Sequence, residues 1–268
     1  MNTSLRSRIA VAIVRKQLPK IMASDPVAEL PDGLHIAIVG SGSPLPDPKR
    51  GNPCVAVIAG ERIIMVDAGE QSSETFNRMQ LDAGRIEALL LTHFHSDHIG
   101  GLGSVNMQRW VADGERPALR VLGPPGVKRV VGGVNEAYAL DCSYRTAHHG
   151  ERIAKPGTSA MVAEEFPMPE DEETAVVIDE GGLKVTTFAV DHKPVEPAVG
   201  FRFDYAGRSA VISGDTVYSP PLVAASKGAD LLVHDALSRE LLKLVEDAAG
   251  DAGRKVRQQL MADIWDYH

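Results

Sequence analysis

From Leu34 onward, short apolar runs alternate with polar turns, the texture of strands with helices between them. Leu34–Val39, Cys54–Ala59 and Arg62–Val66 predict three consecutive strands, the last two joined at Gly60-Glu61. Ala88–Leu91 predicts a fourth, buried strand, and the glycines at 100, 101 and 103 predict a tight turn into a helix. Leu119–Leu122 runs into Gly123-Pro124-Pro125-Gly126, a turn that opens a helix through about Tyr138. The polar stretch from Asp141 to Glu173 reads as a solvated loop. Further strands are predicted at Ala175–Ile178, Leu183–Val190, Val199–Tyr205, Ser209–Ser213 and Asp230–His234. Helices are predicted over Pro221–Lys227 and much of Leu237–Trp265. Two strand-rich halves with helices between and after them predict an α/β sandwich, sheet on sheet with helices outside.

Composition narrows this picture. With 268 residues and 44% hydrophobic content, the chain buries a full core. A formal charge of −8 argues against a general polyanion binder. Cys54 and Cys142 form no Cys-x-x-Cys pair and read as thiols in a reducing cytosol. Residues 1–26 stand apart as an arm: Arg6, Arg8, Arg15, Lys16 and Lys20 occur there before the first acid, Asp25. Ile9–Val14 is too short for a secretory core, and no segment reaches the roughly 18 apolar residues of a membrane span. The arm is expected to be a basic helix packed on the domain of residues 27–268 or on a partner. Attachment to an anionic membrane surface is the sharper reading.

Candidate chemistry centres on Thr92-His93-Phe94-His95-Ser96-Asp97-His98, directly after the buried strand. Neutral imidazoles and carboxylates suit zinc and its first-row neighbours. In an extended segment His93 and His95 leave on the same side. Asp97 and His98 sit where the chain turns, so one loop can serve two adjacent metal positions. His192 and Asp215 also follow predicted strands, in Val-Asp-His-Lys-Pro and Ser-Gly-Asp-Thr, and are candidates for the missing ligands.

Thr92–His98, Val190-Asp191-His192 and Ser213-Gly214-Asp215-Thr216 together resemble the metallo-β-lactamase superfamily, most closely its ribonuclease Z and arylsulfatase-like branch. Gly40-Ser41-Gly42-Ser43-Pro44, Val66-Asp67-Ala68-Gly69-Glu70, Gly200-Phe201-Arg202-Phe203 and Leu231–Ala236 extend the likeness from Leu34 to His268. The resemblance implies an αββα sandwich and two zinc ions. One is held by His93, His95 and His192, the other by Asp97 and His98, with Asp215 bridging. Asp67 would accept a hydrogen bond from a ligand imidazole and fix its tautomer. His234 would support the site from behind. Asp97 would also serve catalysis directly, where a metal-activated hydroxide attacks an ester.

The chain departs from that pattern near its end. Family members complete the second metal with a later histidine, beyond a further helix and strand. This sequence stops at Trp265-Asp266-Tyr267-His268, whose Tyr-His resembles a family position where the histidine assists proton transfer. The readings are a truncated chain, a variant with a weakened second site, or a chain completed by a partner. An open sheet edge, self-association and a homo-oligomer follow as expectations. The arm with which ribonuclease Z grips transfer RNA commonly lies between the equivalents of His192 and Asp215, and only 22 residues separate them here. Glu164-Glu165 and Glu170–Glu173 would repel a polyphosphate. Arg145, His148 and His149 border the pocket or lie on the surface, and His35 is structural. The expected function is therefore hydrolysis of small phosphodiesters or sulfate esters. Transfer-RNA 3′ processing is the alternative within the same chemistry, and a catalytically silent metal-binding scaffold is the alternative from another class.

Overall fold

The computed structural model describes residues 5–45, 47–170 and 173–264. Its strands are β1 (Leu34–Gly40), β2 (Cys54–Ala59), β3 (Arg62–Val66), β4 (Ile86–Leu90), β5 (Arg120–Gly123), β6 (Val162–Glu165), β7 (Thr174–Glu180), β8 (Leu183–Ala189), β9 (Val199–Tyr205), β10 (Arg208–Ile212) and β11 (Leu231–Val233). The helices are α1 (Leu5–Met22), α2 (Ser72–Arg78), α3 (Ser96–Ile99), α4 (Leu102–Ala112), α5 (Val127–His149), α6 (Pro220–Ala225), α7 (Arg239–Asp251) and α8 (Lys255–Ile264). Strands β1 to β6 form one sheet in chain order, antiparallel through β3 and parallel from β3 to β6. The second sheet runs β11-β10-β9-β8-β7, antiparallel except for the β10–β11 pair.

Period-two patterning decides which side chain enters which layer. In β2, Cys54, Ala56 and Ile58 pack with residues of α2, α4 and α5, while Val55, Val57 and Ala59 face the second sheet. Strand β3 divides the same way, with Ile63 and Met65 on the helix side and Ile64 and Val66 between the sheets. Phe201, Phe203, Val185 and Leu183 fill the inter-sheet layer from the other side. Phe188 and Val211 turn outward under Leu222 and Ala225 of α6. The architecture is the expected αββα sandwich. A cross-sheet clamp closes one end: Arg62 holds Glu87 through two 2.6 Å bonds, and Arg120 holds Glu164 at 2.7 and 2.9 Å and Glu180 at 3.0 Å.

Three expectations change. Helix α5 continues through Asp141 to His149, where a loop was expected. Those residues are polar because most of that end faces solvent, and the Asp141–Arg145 pair at 2.8 Å supports it one turn apart. Inside the same stretch Val162–Glu165 forms β6, a partly exposed edge strand without an apolar signature, fastened by the Arg120–Glu164 pair. The helices expected over much of Leu237–Trp265 are present as α7 and α8, parted at Gly253, whose φ of +67° suits glycine. Finally, α1 does not pack on the domain: residues 6–24 are all exposed.

Candidate metal centre

The candidate residues gather where strands end. Strand β4 delivers the His93–His98 loop, β3 delivers Asp67, β8 leads to His192 and β10 leads to Asp215. Strands β3 and β4 are parallel, so their ends share one edge. The loops are tied by backbone bonds: Asp67 N–H donates to Leu90 O at 2.8 Å, Val199 N–H to Thr92 O at 3.0 Å, and Val217 N–H to Asp191 O at 2.9 Å. Two glycines are required by space. A Cβ on Gly69 would lie 2.1 Å from Asp97 O, and Gly214 has φ +64° with Thr92 Cβ 3.0 Å from the place a Cβ would take.

His93, His95, His192 and Asp215 bring one ligand atom each to within 4.8 Å of one another. His93 Nε2 lies 3.0 Å from His95 Nδ1, which lies 3.4 Å from His192 Nε2. Asp215 Oδ2 is 3.9 Å from His93 Nε2 and 4.0 Å from His192 Nε2. The same oxygen is 3.3 Å from His98 Nε2, which in turn is 3.8 Å from Asp97 Oδ2. Asp215 thus stands between a three-histidine group and the Asp97–His98 group.

Hydrogen bonds assign the tautomers. Asp67 is 4% exposed and sits in the left-handed region at φ 58°. Its Oδ1 accepts from Thr92 N–H, and its Oδ2 from the Thr92 hydroxyl and from His98 Nδ1–H, each at 2.8 Å. The Thr92 hydroxyl has given up its proton there, so it accepts from His93 Nδ1–H at 3.1 Å. Nδ1 is thus the bonded nitrogen of both rings, and Nε2 of each faces the site. His98 Nε2 is buried and makes no hydrogen bond among the described residues.

The donor set fits a pair of cations. Burial, then the charge of His98, pushes His93 down to about 2, so its ring stays unprotonated. Burial also opposes charge on His98, but Asp67 and Asp215 together raise its proton affinity well above that of an ordinary imidazole. Crowded nitrogen lone pairs beside two nearly buried carboxylates suit positive charge between them. His93, His95, His192 and Asp215 could hold one ion, and Asp97, His98 and Asp215 a second.

Other candidates lie elsewhere. The half-exposed His234 pairs with Asp235, its Nδ1 2.8 Å from the Asp235 carbonyl and 2.7 Å from its carboxylate, because β11 is a short edge strand. His148 and His149 stack on one another, exposed at the end of α5, and Arg145 pairs with Asp141. His35 lies 2.9 Å from Pro31 O, a structural contact. His268, with residues 265–267, lies outside the described residues, as do positions 171 and 172. Glu164 and Glu165 are not a bare acidic rim: Arg120 holds the first, while Gly126 N–H at 2.9 Å and Lys128 at 3.6 Å meet the second. Two contributors carried no signal of their own. Thr92 was visible only as part of the histidine motif. Thr216 bonds both Asp191 N–H and Asp191 O, at 3.2 and 3.1 Å, and so fastens the His192 loop to the Asp215 loop.

Comparison with known proteins agrees with this geometry. The profile described as Metallo-beta-lactamase superfamily matches residues 48–256. Ribonuclease Z of Mycobacterium avium (strain 104) is 34% identical over 237 residues, covering 88% of this chain and 78% of the relative. Ribonuclease Z of Mycobacterium marinum (strain ATCC BAA-535 / M) is 35% identical over 238 residues, with the same coverage of 88% and 78%. Among solved structures, the short form of human tRNase Z aligns with a TM-score of 0.62 at 22% identity, covering 79% of this chain and 82% of that one. A diphosphatase of the PhnP family aligns at 0.53 and 20%, covering 75% and 73%. At these identities the two structures speak to the fold alone.

Proposed function

Because the chain belongs to the metallo-β-lactamase superfamily, we propose that it is a zinc-dependent hydrolase that cuts phosphodiester bonds in RNA, in the manner of ribonuclease Z. The observation that carries this reading is identity of 34% and 35% over 88% of the chain to relatives of that name. Pairing of Glu164 with Arg120 and of Glu165 with Lys128 and a backbone N–H answers one part of the electrostatic objection to a nucleic acid, leaving the run from Glu170 to Glu173 and the net charge of −8.

His93, His95, His192 and Asp215 would hold one zinc, and Asp97, His98 and Asp215 the other. The two ions would supply the positive charge that acidifies a water and offsets charge building on the phosphoryl oxygens. The chain's own residues prepare that chemistry. Asp67 keeps the proton of His98 on Nδ1, and Thr92 keeps that of His93 on Nδ1, so both Nε2 atoms face inward. The Asp97 carboxylate beside His98 has two oxygens, so one could help hold an ion while the other would take the proton released by the attacking water and pass it to the leaving oxygen. The ties among the loops hold these groups in place before substrate arrives, which avoids reorganisation during the reaction.

A second reading, hydrolysis of small phosphodiesters or sulfate esters, draws on the hairpin between His192 and Asp215. Strands β9 and β10 take up most of it and meet at Ala206-Gly207, both with positive φ, the signature of a two-residue turn. An RNA-gripping arm has no place there. The test gives the zinc-loaded protein a transfer-RNA precursor with a 3′ extension and, separately, bis(p-nitrophenyl) phosphate. Endonucleolytic cut of the precursor, lost in His93→Ala, is the expected result. Hydrolysis of the ester alone would overturn the RNA reading in favour of the second. Metal binding without turnover of either would mark a scaffold.

A further inference from the structure

Helix α1 is an 18-residue helix lying before the 48–256 segment matched by the family profile, and no residue from 6 to 24 is buried. Most helices in proteins draw their stability from packing an apolar face rather than from propensity. The face exists here. At 100° per residue Val11, Val14, Leu18, Ile21 and Met22 fall on one side, and each is largely exposed, Val14 at 57% and Leu18 at 48%. Arg15 and Arg8 border that side, Lys16, Lys20 and Arg6 lie opposite it with Ile9 and Ile13 among them, and the helix contains no acid. The whole chain nevertheless carries −8. We propose that α1 is an interfacial anchor that lays its Val11–Val14–Leu18–Ile21 stripe into an anionic lipid surface.

The stripe and the two arginines that border it, Arg8 and Arg15, are both used in this arrangement. The stripe enters the boundary between headgroups and acyl chains, while arginine and lysine stems reach up to the phosphates. The helix is not apolar enough to cross a bilayer, so it lies in the plane. The acidic remainder of the chain is repelled by the same surface, which sets the molecule's orientation with α1 facing the lipid. RNA would engage the five cations equally well but would leave the stripe in water, and that decides for lipid. Near an anionic membrane each cation contributes about 1 kcal/mol, or about fivefold in partitioning.

The test is co-sedimentation of the full chain with vesicles of phosphatidylcholine alone and of three parts phosphatidylcholine to one part phosphatidylglycerol. Two variants accompany it: Val14→Asp with Leu18→Asp, and Arg8→Gln with Arg15→Gln and Lys16→Gln. All five positions are exposed, so both variants should melt and turn over phosphodiester as the parent does. Binding to the anionic vesicles only is expected, weakened about a hundredfold by the charge variant, at least tenfold by the stripe variant, and strongly by 0.5 M salt. Absence of vesicle binding by the parent would overturn the proposal. So would a charge variant that loses transfer-RNA affinity while the stripe variant keeps it and vesicles are ignored. A stripe variant that only converts a dimer to a monomer would assign the face to a second copy instead.

Discussion

Asp67→Asn is the most informative single substitution, because it changes one atom and leaves the backbone unburdened: asparagine tolerates the left-handed conformation that φ 58° requires. The parent carboxylate accepts three hydrogen bonds, two on Oδ2 and one on Oδ1, all 2.8 Å long. An amide has a single accepting oxygen. If that oxygen serves Thr92 N–H, the NH2 group confronts His98 Nδ1–H, donor against donor. If the amide flips, the same conflict moves to Thr92 N–H. His98 relieves the first conflict by moving its proton to Nε2, where the lone pair that should face Asp97 and Asp215 disappears. One hydrogen bond to a charged group is worth about 1.5–3 kcal/mol, and loss of such a supporting partner costs a metal site about 10- to 100-fold in affinity. Urea unfolding of the metal-free protein should therefore show a loss of about 2 kcal/mol. Competition against a chromophoric zinc chelator should show one zinc weakened by the stated factor, and the other less. Two zinc ions bound with parental affinity would refute the tautomer argument.

The remaining predictions address the scaffold. Gly214→Ala must place a side chain in the left-handed region against Thr92 Cβ, so it should cost about 1–2 kcal/mol and lower zinc stoichiometry through Asp215. An unchanged melting temperature would contradict the requirement for glycine. Cys54 is buried, and burial drives its thiol up to about 12, whereas Cys142 is only partly buried. In the native protein iodoacetamide should modify Cys142 well before Cys54, and equal rates by peptide mass spectrometry would count against this core. The hydrogen bond to Arg62 lowers the Glu87 pKa, so its stabilisation is present above the ordinary glutamate pKa and lost as pH falls through the folded value. Glu87 is 32% exposed, so the gap in unfolding free energy between parent and Glu87→Gln should be under about 1 kcal/mol near neutrality. That gap should close on acidification, and a gap that widens instead would refute the assignment.

How much the sequence disclosed follows the range of the interactions involved. Strands β2 and β3 were readable to the residue, because burial on both faces leaves apolar residues at every position from Cys54 to Ala59 and from Ile63 to Val66. The His93–His98 group was readable because six successive positions supply four candidate ligands. His192 and Asp215 each follow a strand by three residues, a weak signal alone that gained force only beside the histidines. Thr92 and Thr216 were not readable as contributors, since a hydroxyl acts on whatever the fold brings to it. The extension of α5 and the presence of β6 were hidden for a related reason. Both are held by ion pairs on an exposed side, Asp141 with Arg145 and Glu164 with Arg120, and polar pairs look like loop in a linear pattern. His234 ends a strand as the candidate ligands do, but that strand is an edge, and its Nδ1 meets Asp235.

That contrast between His234 and the other strand-end residues locates what makes the site. Being at a strand end is common; being at the ends of strands stitched to one another is not. Asp67 is bonded to the backbone of β4 at Leu90, Thr92 to β9 at Val199, and the His192 loop to the Asp215 loop at Val217 and Thr216. Each ligand is fixed by a loop that a different strand holds, so displacing one requires moving a sheet whose two faces are both packed. Rigidity of that order holds His95 Nδ1 3.0 Å from His93 Nε2 and 3.4 Å from His192 Nε2, so the three rings converge on one point. The fold thereby brings the ligands together before any cation arrives, so that binding one would call for little rearrangement.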